Sequence, residues 1–377
     1  MTNIDTLQSE PSAASLRPMP TTAADLTPAW LTAAFQSNGL DVVVSAAQPT
    51  PFAEGTGMLS LLVRVELEYA RGAGPASVIA KMPIALAANR ETAVNFHCYE
   101  REVGFYRHAA HRTRARTPII HFADIEGDSE FVVVMEDFGG YHIGDQVIGC
   151  TVEQARLCMT AIADLHASFW NRVDDADYDF IPYHHPSYFS ENMHQGTVAL
   201  WDTLVEVGGD VVPTFMRAAK KDFLAAIPRM QEWITAEPRT IVHGDFRLDN
   251  LYFGTTPEQA AVALGDWQGI LRGNGAHDVA YFLTQSMPVE ARRAHERELV
   301  GLWHAGLEAG GVSGYSYDDA WLDYRRAALY LWTYVVVIAG SLDPANDRGR
   351  SWMTEMIRRS SATIGDLGLL ELLADFR

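Results

Sequence analysis

Positive charge is scarce in this chain: 29 lysines and arginines stand against 48 aspartates and glutamates, a formal net charge of −19. Such a surface repels polyanions, so DNA, RNA and anionic lipid surfaces are excluded as natural partners. Solubility explains the imbalance most simply, although a cationic small molecule would also suit it. Cysteine is scarcer still. Cys98, Cys150 and Cys158 form no complete set of pairs and no CxxC spacing, which excludes a disulfide framework and predicts reduced, mostly buried thiols in a cytoplasmic protein. Residues 1–20 hold a single arginine and no apolar core, so no secretory signal is expected there. The longest apolar run, Ala327 to Gly340, is too short to span a bilayer and reads as a buried helix. Internal repeats are absent, and the only biased segment is the Ser/Pro/Ala/Thr-rich start.

What is present suffices for two lobes. The chain has 377 residues, 48% of them apolar, enough for sizeable cores around a shared cleft. Residues 1–21 are expected to be a mobile tail. Thr27-Pro28 then has the form of an N-cap and first helical residue. Val63, Val65, Leu67 and Tyr69 alternate with Arg64, Glu66 and Glu68 as a half-buried strand. Strands are also expected over Ser77–Met82 and Phe131–Met135, with a helix between them from roughly Glu91 to His108. The glycine-bearing turn around Gly55 and Gly57 precedes the alternating strand. Beyond Glu136-Asp137-Phe138-Gly139-Gly140, a plausible hinge, the pattern becomes helical: a capping box at Thr151–Gln154 opens one helix, and long stretches fit 197–234, 288–309 and 317–340. The expected organisation is an α+β, two-lobed fold, with an antiparallel-sheet N-lobe with one main helix over 22–137 and a mostly helical C-lobe over 138–377.

One interruption of the helical part carries chemistry. Ile241-Val242 leads into His243-Gly244-Asp245-Phe246-Arg247-Leu248-Asp249-Asn250, followed by two short strands, Leu251–Phe253 and Ala261–Leu264, and then Gly265-Asp266-Trp267. Asp245 and Asn250 lie five residues apart on a loop able to curl around a metal, and the hairpin would return the Asp266 carboxylate beside Asn250. Hard oxygen ligands of this kind suit Mg²⁺. Phosphoryl transfer from ATP needs such parts: a carboxylate at the acceptor hydroxyl, oxygens holding Mg²⁺, and a lysine on the phosphates. Lys81 lies on a strand of the N-terminal part, and Glu100 and Glu102 follow on the next helix.

His-Gly-Asp, then Asn five residues on, then a later Gly-Asp-Trp, resembles the aminoglycoside phosphotransferase and choline kinase superfamily of protein-kinase-like enzymes. The string through Leu251 is also similar to the kinase-like domains fused to acyl-CoA dehydrogenases. The resemblance covers roughly residues 25–370. It implies a bilobal protein-kinase-like fold and an ATP- and Mg²⁺-dependent phosphotransferase acting on a small-molecule hydroxyl. Carried over by position, it implies that Asp245 is the catalytic base and that Asn250 and Asp266 are metal ligands. It further implies that Lys81 binds phosphate with Glu102 as partner, Glu100 remaining an alternative. Glu136 to Phe138 match the adenine-contacting hinge, and Asp278 matches an aspartate that is usually structural.

The sequence departs from the pattern in two places. Gly55 and Gly57 do not complete a GxGxxG, so cradling of phosphates by that loop rests on two glycines. Asp266-Trp267-Gln268 stands where protein kinases carry aspartate-phenylalanine-glycine. Two other readings remain open: an inactive kinase-like nucleotide-binding module, and a metal-dependent phosphoester hydrolase built on His243, Asp245 and Asp266. His243, with no second histidine at a ligand spacing, reads as support for the loop. Arg247 and Asp249 either touch substrate or brace the loop. Acceptor identity and oligomeric state are not readable.

Overall fold

The computed structural model describes residues 16–52, 59–341 and 347–377. They divide into two compact units. The first combines the chain up to Asn95 with Ile119–Asp137, and the second combines Phe96–Pro118 with Phe138–Arg377.

The first unit is an antiparallel sheet with helix α1 (Pro28–Ser37) on one face and helix α2 (Ala87–Asn95) following the central strand. Its strands are β1 (Val43–Phe52), β2 (Ser60–Arg71), β3 (Ser77–Pro83), β4 (Ile120–Glu126) and β5 (Glu130–Glu136), in the order β1-β2-β3-β5-β4. The Thr27 hydroxyl accepts from the Trp30 backbone N–H at 3.2 Å, capping α1 with Pro28 in its first turn. Val63, Val65 and Leu67 point inward and Arg64, Glu66 and Glu68 outward, as the alternation predicts. Leu31, Ala34 and Phe35 of α1 pack with Val78, Ala80 and Met82 of β3 and with Val132 and Val134 of β5. Because β3 is central, it is buried on both faces, and Lys81 lies on the face opposite α1. Part of the expected tail is packed against the sheet. Met19 is buried in this core and Arg17 pairs with Glu126 at 2.7 Å, because a methionine side chain fills the gap beside α1. Residues 1–15 lie outside the described residues.

The second unit is mostly helical. Its helices are α3 (Cys98–Gly104), α4 (Val152–Phe169), α5 (Tyr188–Gly208), α6 (Thr214–Thr235), α7 (Ala276–Gln285), α8 (Val289–Ala309), α9 (Tyr317–Tyr330), α10 (Trp332–Ser341) and α11 (Asp347–Asp366). Short strands β6 (His142–Ile143), β7 (Thr240–Val242), β8 (Leu251–Phe253), β9 (Val262–Leu264) and β10 (Leu271–Gly273) form two small sheets, β6-β8-β9 and β10-β7.

Several expected helices are shorter than their apolar patterns. The helix anticipated over 91–108 breaks at His97, whose φ of +51° is left-handed, and continues past Gly104 as a π-turn over Phe105–Ala109. The stretch 197–234 breaks at Gly209, which has φ +48°, and at Pro213. Leu331 divides 317–340 into α9 and α10. The apolar run from Ala327 is buried as expected. No helix among the described residues is long and apolar enough to cross a membrane. The three cysteines are buried and unbridged.

The capping box of α4 is formed: the Thr151 hydroxyl accepts from the Gln154 N–H at 3.2 Å, and the Gln154 amide oxygen accepts from the Thr151 N–H at 3.0 Å. Thr151→Ala therefore costs about 1 kcal/mol. The measurement is calorimetric unfolding of the whole chain, and an unchanged transition refutes the cap's contribution.

Candidate active site

Strand β7 delivers the chain into the segment His243–Asn250, and the backbone there is fixed before any side chain acts. Gly244 has φ +76°, and a Cβ at that position would collide with the carbonyl oxygen of Gly269. Only glycine fits. The N–H groups of His243 and Gly244 both donate to the Asp278 carboxylate, at 2.6 and 2.9 Å. Asp278 is fully buried on α7. It accepts further from His166 Nε2 at 3.0 Å and meets His277 Nδ1 at 3.3 Å. The indole N–H of Trp303 can only donate, and it reaches His166 Nδ1 at 3.0 Å. The proton of His166 is thereby assigned to Nε2, facing the carboxylate. Burial pushes the Asp278 carboxyl up, but the hydrogen bonds from His166 and His277 outweigh it and hold it well below the ordinary carboxylate range.

The side chains then sort themselves. Asn250 Nδ2 donates to the Asp245 carbonyl and to Asp245 Oδ2, each at 2.9 Å. The amide is oriented by those bonds, so Asn250 Oδ1 turns the other way and presents an oxygen. The expected hairpin forms, with Leu251 opposite Leu264, and the Gly265 N–H donates to the Asn250 carbonyl at 3.0 Å. The residue that follows is Asp266. It adopts φ +64°, ψ +77°, a conformation non-glycine residues seldom hold without surrounding support. Asn250 and Asp266 together offer hard oxygens suited to Mg²⁺, with a nucleotide's phosphates able to complete the shell. Among the described residues there is no cluster of three or more His, Cys, Asp or Glu that would hold a metal unaided. His243 Nε2 lies 3.0 Å from the Gly265 carbonyl, to which it donates, and its ring leans on Trp267. That nitrogen is spent on the backbone, which fits a supporting histidine.

Trp267 ties α3 to this turn. Phe105 stacks on its indole at 3.7 Å, nearly parallel, and Arg101 donates to the Ile270 carbonyl at 3.1 Å. Glu102, completely buried on α3, lies near Tyr106. The phenol of Tyr106 is pushed well up by burial, with the charges of Glu102 and Asp266 adding to it. Glu100 points elsewhere: it is partly exposed and bonded to His97.

The remaining expected residues belong to separate units. Lys81, 4% exposed, is on β3 of the first unit. Glu136 closes β5 there, its carboxylate accepting from the Ile119 N–H at 2.9 Å. Phe138 opens the second unit, buried against Tyr252 and Tyr141 at 4.9 Å each, with the Arg116 guanidinium over its ring. Gly55 and Gly57 lie outside the described residues.

Sequence reading missed the framework around the segment. Gln146 accepts from the Leu248 N–H at 3.0 Å through its side chain, and its own N–H donates to Asp249 at 3.1 Å. Arg359 on α11 holds the Gln146 and Gln285 carbonyls, both at 2.8 Å. Trp352, also on α11, lies under the Arg247 guanidinium at 4.7 Å. No local spacing signals these partners.

A five-stranded antiparallel sheet in one unit, and in a helical unit a loop-hairpin that gathers Asp245, Asn250 and Asp266, define the bilobal fold of protein-kinase-like small-molecule phosphotransferases. The chain belongs to the ecdysteroid kinase-like family, whose profile matches residues 54–310. Solved structures agree on the fold. Aminoglycoside 2'-phosphotransferase-IIIa in its GDP complex superposes with a TM-score of 0.51 at 11% identity, over 90% of this chain and 99% of that one. The ethanolamine kinase of Plasmodium vivax gives 0.53 at 10% identity, over 88% and 86%. A microcompartment-associated aminopropanol kinase gives 0.50 at 15% identity, over 88% and 94%. In sequence, the chain is 42% identical over 84 residues to acyl-CoA dehydrogenase family member 10 of Mus musculus, covering 19% of this chain and only 8% of that protein's length.

Two substitutions test the scaffold. Gly244→Ala is expected to lose at least about 2 kcal/mol, since both its φ and the Gly269 carbonyl oppose a side chain. Asp278→Asn is expected to lose about 3 kcal/mol, as the amide keeps one accepting oxygen and turns an NH2 donor toward the remaining N–H groups. The sign of the pH effect follows from the lowered carboxyl: its stabilisation is present above the ordinary carboxylate range and is lost only as pH falls through the depressed value. Denaturation of wild type and Asp278→Asn should therefore differ by a constant amount between about pH 5 and 8. A gap that closes within that window contradicts this account.

Proposed function

We propose that this protein is an ATP- and Mg²⁺-dependent phosphotransferase that moves the γ-phosphate to a hydroxyl of a small molecule. The observation that carries the reading is the hairpin β8–β9, which returns Asp266 to Asn250 while the Asn250 amide is bonded to Asp245. A base, an oriented amide oxygen and a second carboxylate then share one loop, the set that in-line phosphoryl transfer needs.

In this reading Asp245 orients the acceptor hydroxyl and takes its proton as the acceptor oxygen bonds to phosphorus and the bridge to ADP breaks. Asn250 Oδ1 and the Asp266 carboxylate hold the metal. Bound Mg²⁺ supplies charge neutralisation on the phosphates. Lys81 of the first unit is the phosphate-binding lysine in this reading; in the second unit, the full burial of Glu102 and the engagement of Glu100 with His97 make Glu102 the better candidate of the two for the glutamate role that the resemblance implies. Glu136 to Phe138 receive the adenine. The acceptor is aminoglycoside-like, amino alcohol-like or hydroxyacyl-like. Structural neighbours named for aminoglycosides and for ethanolamine or aminopropanol support the first two classes. The acyl-CoA dehydrogenase relative supports the third.

The test combines a thermal-shift titration with Mg-ATP and Mg-GTP and an ADP-release assay over a panel of the three acceptor classes. Asp245→Asn should lower transfer at least about 100-fold while keeping the nucleotide-induced shift. Asp266→Asn should lose both. Wild-type protein that binds Mg-ATP yet phosphorylates nothing in the panel would instead be a nucleotide-binding module. Phosphoester hydrolysis without ATP would make it a hydrolase.

A further inference from the structure

Arg247 sits two residues after the base, and nothing in the reading above gives it work. Its surroundings do. The guanidinium is almost buried, with 15% of the side chain exposed, and Nε donates to Asp245 Oδ2 at 3.2 Å while Nη1 reaches Asp249 Oδ2 at 3.4 Å. Asn250 Nδ2 donates to that same Asp245 oxygen at 2.9 Å. Two donors from different directions therefore hold Oδ2.

The arginine is itself held. Its guanidinium lies over the Trp352 ring of α11 at 4.7 Å, a cation–π seat that a planar group fills well. Asp249, its second partner, accepts from the Gln146 N–H, and Gln146 is fixed through its carbonyl by Arg359 of the same helix. On the other side stands Tyr281, one turn along α7 from Asp278 and 1% exposed. Burial pushes its phenol well up, the Asp245 charge and a hydrogen bond to that carboxylate add to the effect, and Arg247 opposes it. α7 thus holds the backbone of the segment through Asp278 and borders its reactive carboxylate through Tyr281, residues three apart on one helical face.

We propose that Arg247 is a positioning residue for the base: seated on Trp352, it fixes Asp245 Oδ2 together with Asn250, so that Oδ1 is presented to the acceptor hydroxyl. This rests on the phosphotransferase reading and deepens it. Arg247 bonds to Asp245 and never to the reacting oxygen, so its loss should act on turnover and not on nucleotide affinity. Lysine keeps the charge but has no planar fork, so it cannot bridge Asp245 and Asp249 in the same geometry.

Mg-ATP alone is a sufficient probe, since water is the smallest hydroxyl that can stand before Oδ1, and ADP release without added acceptor reads the same alignment. Arg247→Lys in the full chain is expected to lower kcat at least about 10-fold with KM for Mg-ATP within about twofold. Trp352→Phe, which keeps an aromatic seat, should retain most of the activity, and Trp352→Ala should follow Arg247→Lys. If Arg247→Lys turns over like wild type while Asp245→Asn is dead, the positioning role is overturned and the phosphotransferase reading stands. If Asp245→Asn is equally unaffected, both fall. A crystal structure of Arg247→Lys gives a readout independent of turnover. The Asp245 carboxylate should leave the rotamer that bonds Asn250, and an unchanged carboxylate overturns the proposal even where water is too poor an acceptor to measure.

Discussion

The buried carboxylate of Asp278 is the interaction on which the second unit depends. An ionised group without water is costly unless every lone pair is met, and here four donors meet it: two backbone N–H groups of the catalytic segment and one ring nitrogen each from α4 and α7. Each donor is constrained in turn. His166 is set by the Trp303 indole of α8, and His277 Nε2 lies 3.0 Å from the Tyr334 hydroxyl of α10. One negative charge therefore fixes the relative placement of four helices and the two residues that precede Asp245. Because the partners satisfy it, the group stays charged in a dry interior, and the backbone N–H groups remain aimed at it.

From that point the geometry propagates along covalent structure. With His243 and Gly244 held, the positive φ of Gly244 turns the chain so that Asp245 faces outward, and the side chains of Asn250 and Arg247 return to it. The hairpin carries the constraint to Asp266, whose left-handed conformation is a local cost of about 1–3 kcal/mol. Its neighbours on either side account for its persistence. Gly265 is pinned by Asn250 and His243, and Trp267 is clamped between His243 and Phe105. Strain of this kind survives only where packing overdetermines it.

How much of this was legible in the sequence depended on distance along the chain. The loop and hairpin were readable because their residues interact over a few positions: Asp245 with Asn250, Leu251 with Leu264. The cap of α4 and the alternation of β2 were readable for the same reason. Two strands that the sequence leaves undelimited, β1 and β4, are the edges of the first sheet. An edge strand needs no unbroken apolar face and tolerates Pro49 and Pro51, so β1 carries little periodic signal. The break at His97 was unreadable because no glycine or proline marks it. Gln146, Trp303, Trp352 and Arg359 act on residues roughly 100 or more positions away, and such pairings are decided by packing, not by spacing.

The same contrast explains why the net charge misleads as a guide to the site. The chain is strongly acidic, yet the carboxylates of the catalytic segment are not interchangeable surface charge. Asp278 is consumed in scaffolding, and Asp249 is bonded to the Gln146 backbone and Arg247. Asp245 is shared between Arg247 and Asn250 through one oxygen. What distinguishes Asp245 from its neighbours is thus not its type or its burial but the two donors, from Arg247 and Asn250, that converge on one of its oxygens. That convergence is set by an arginine and an asparagine, with a tryptophan seating the arginine.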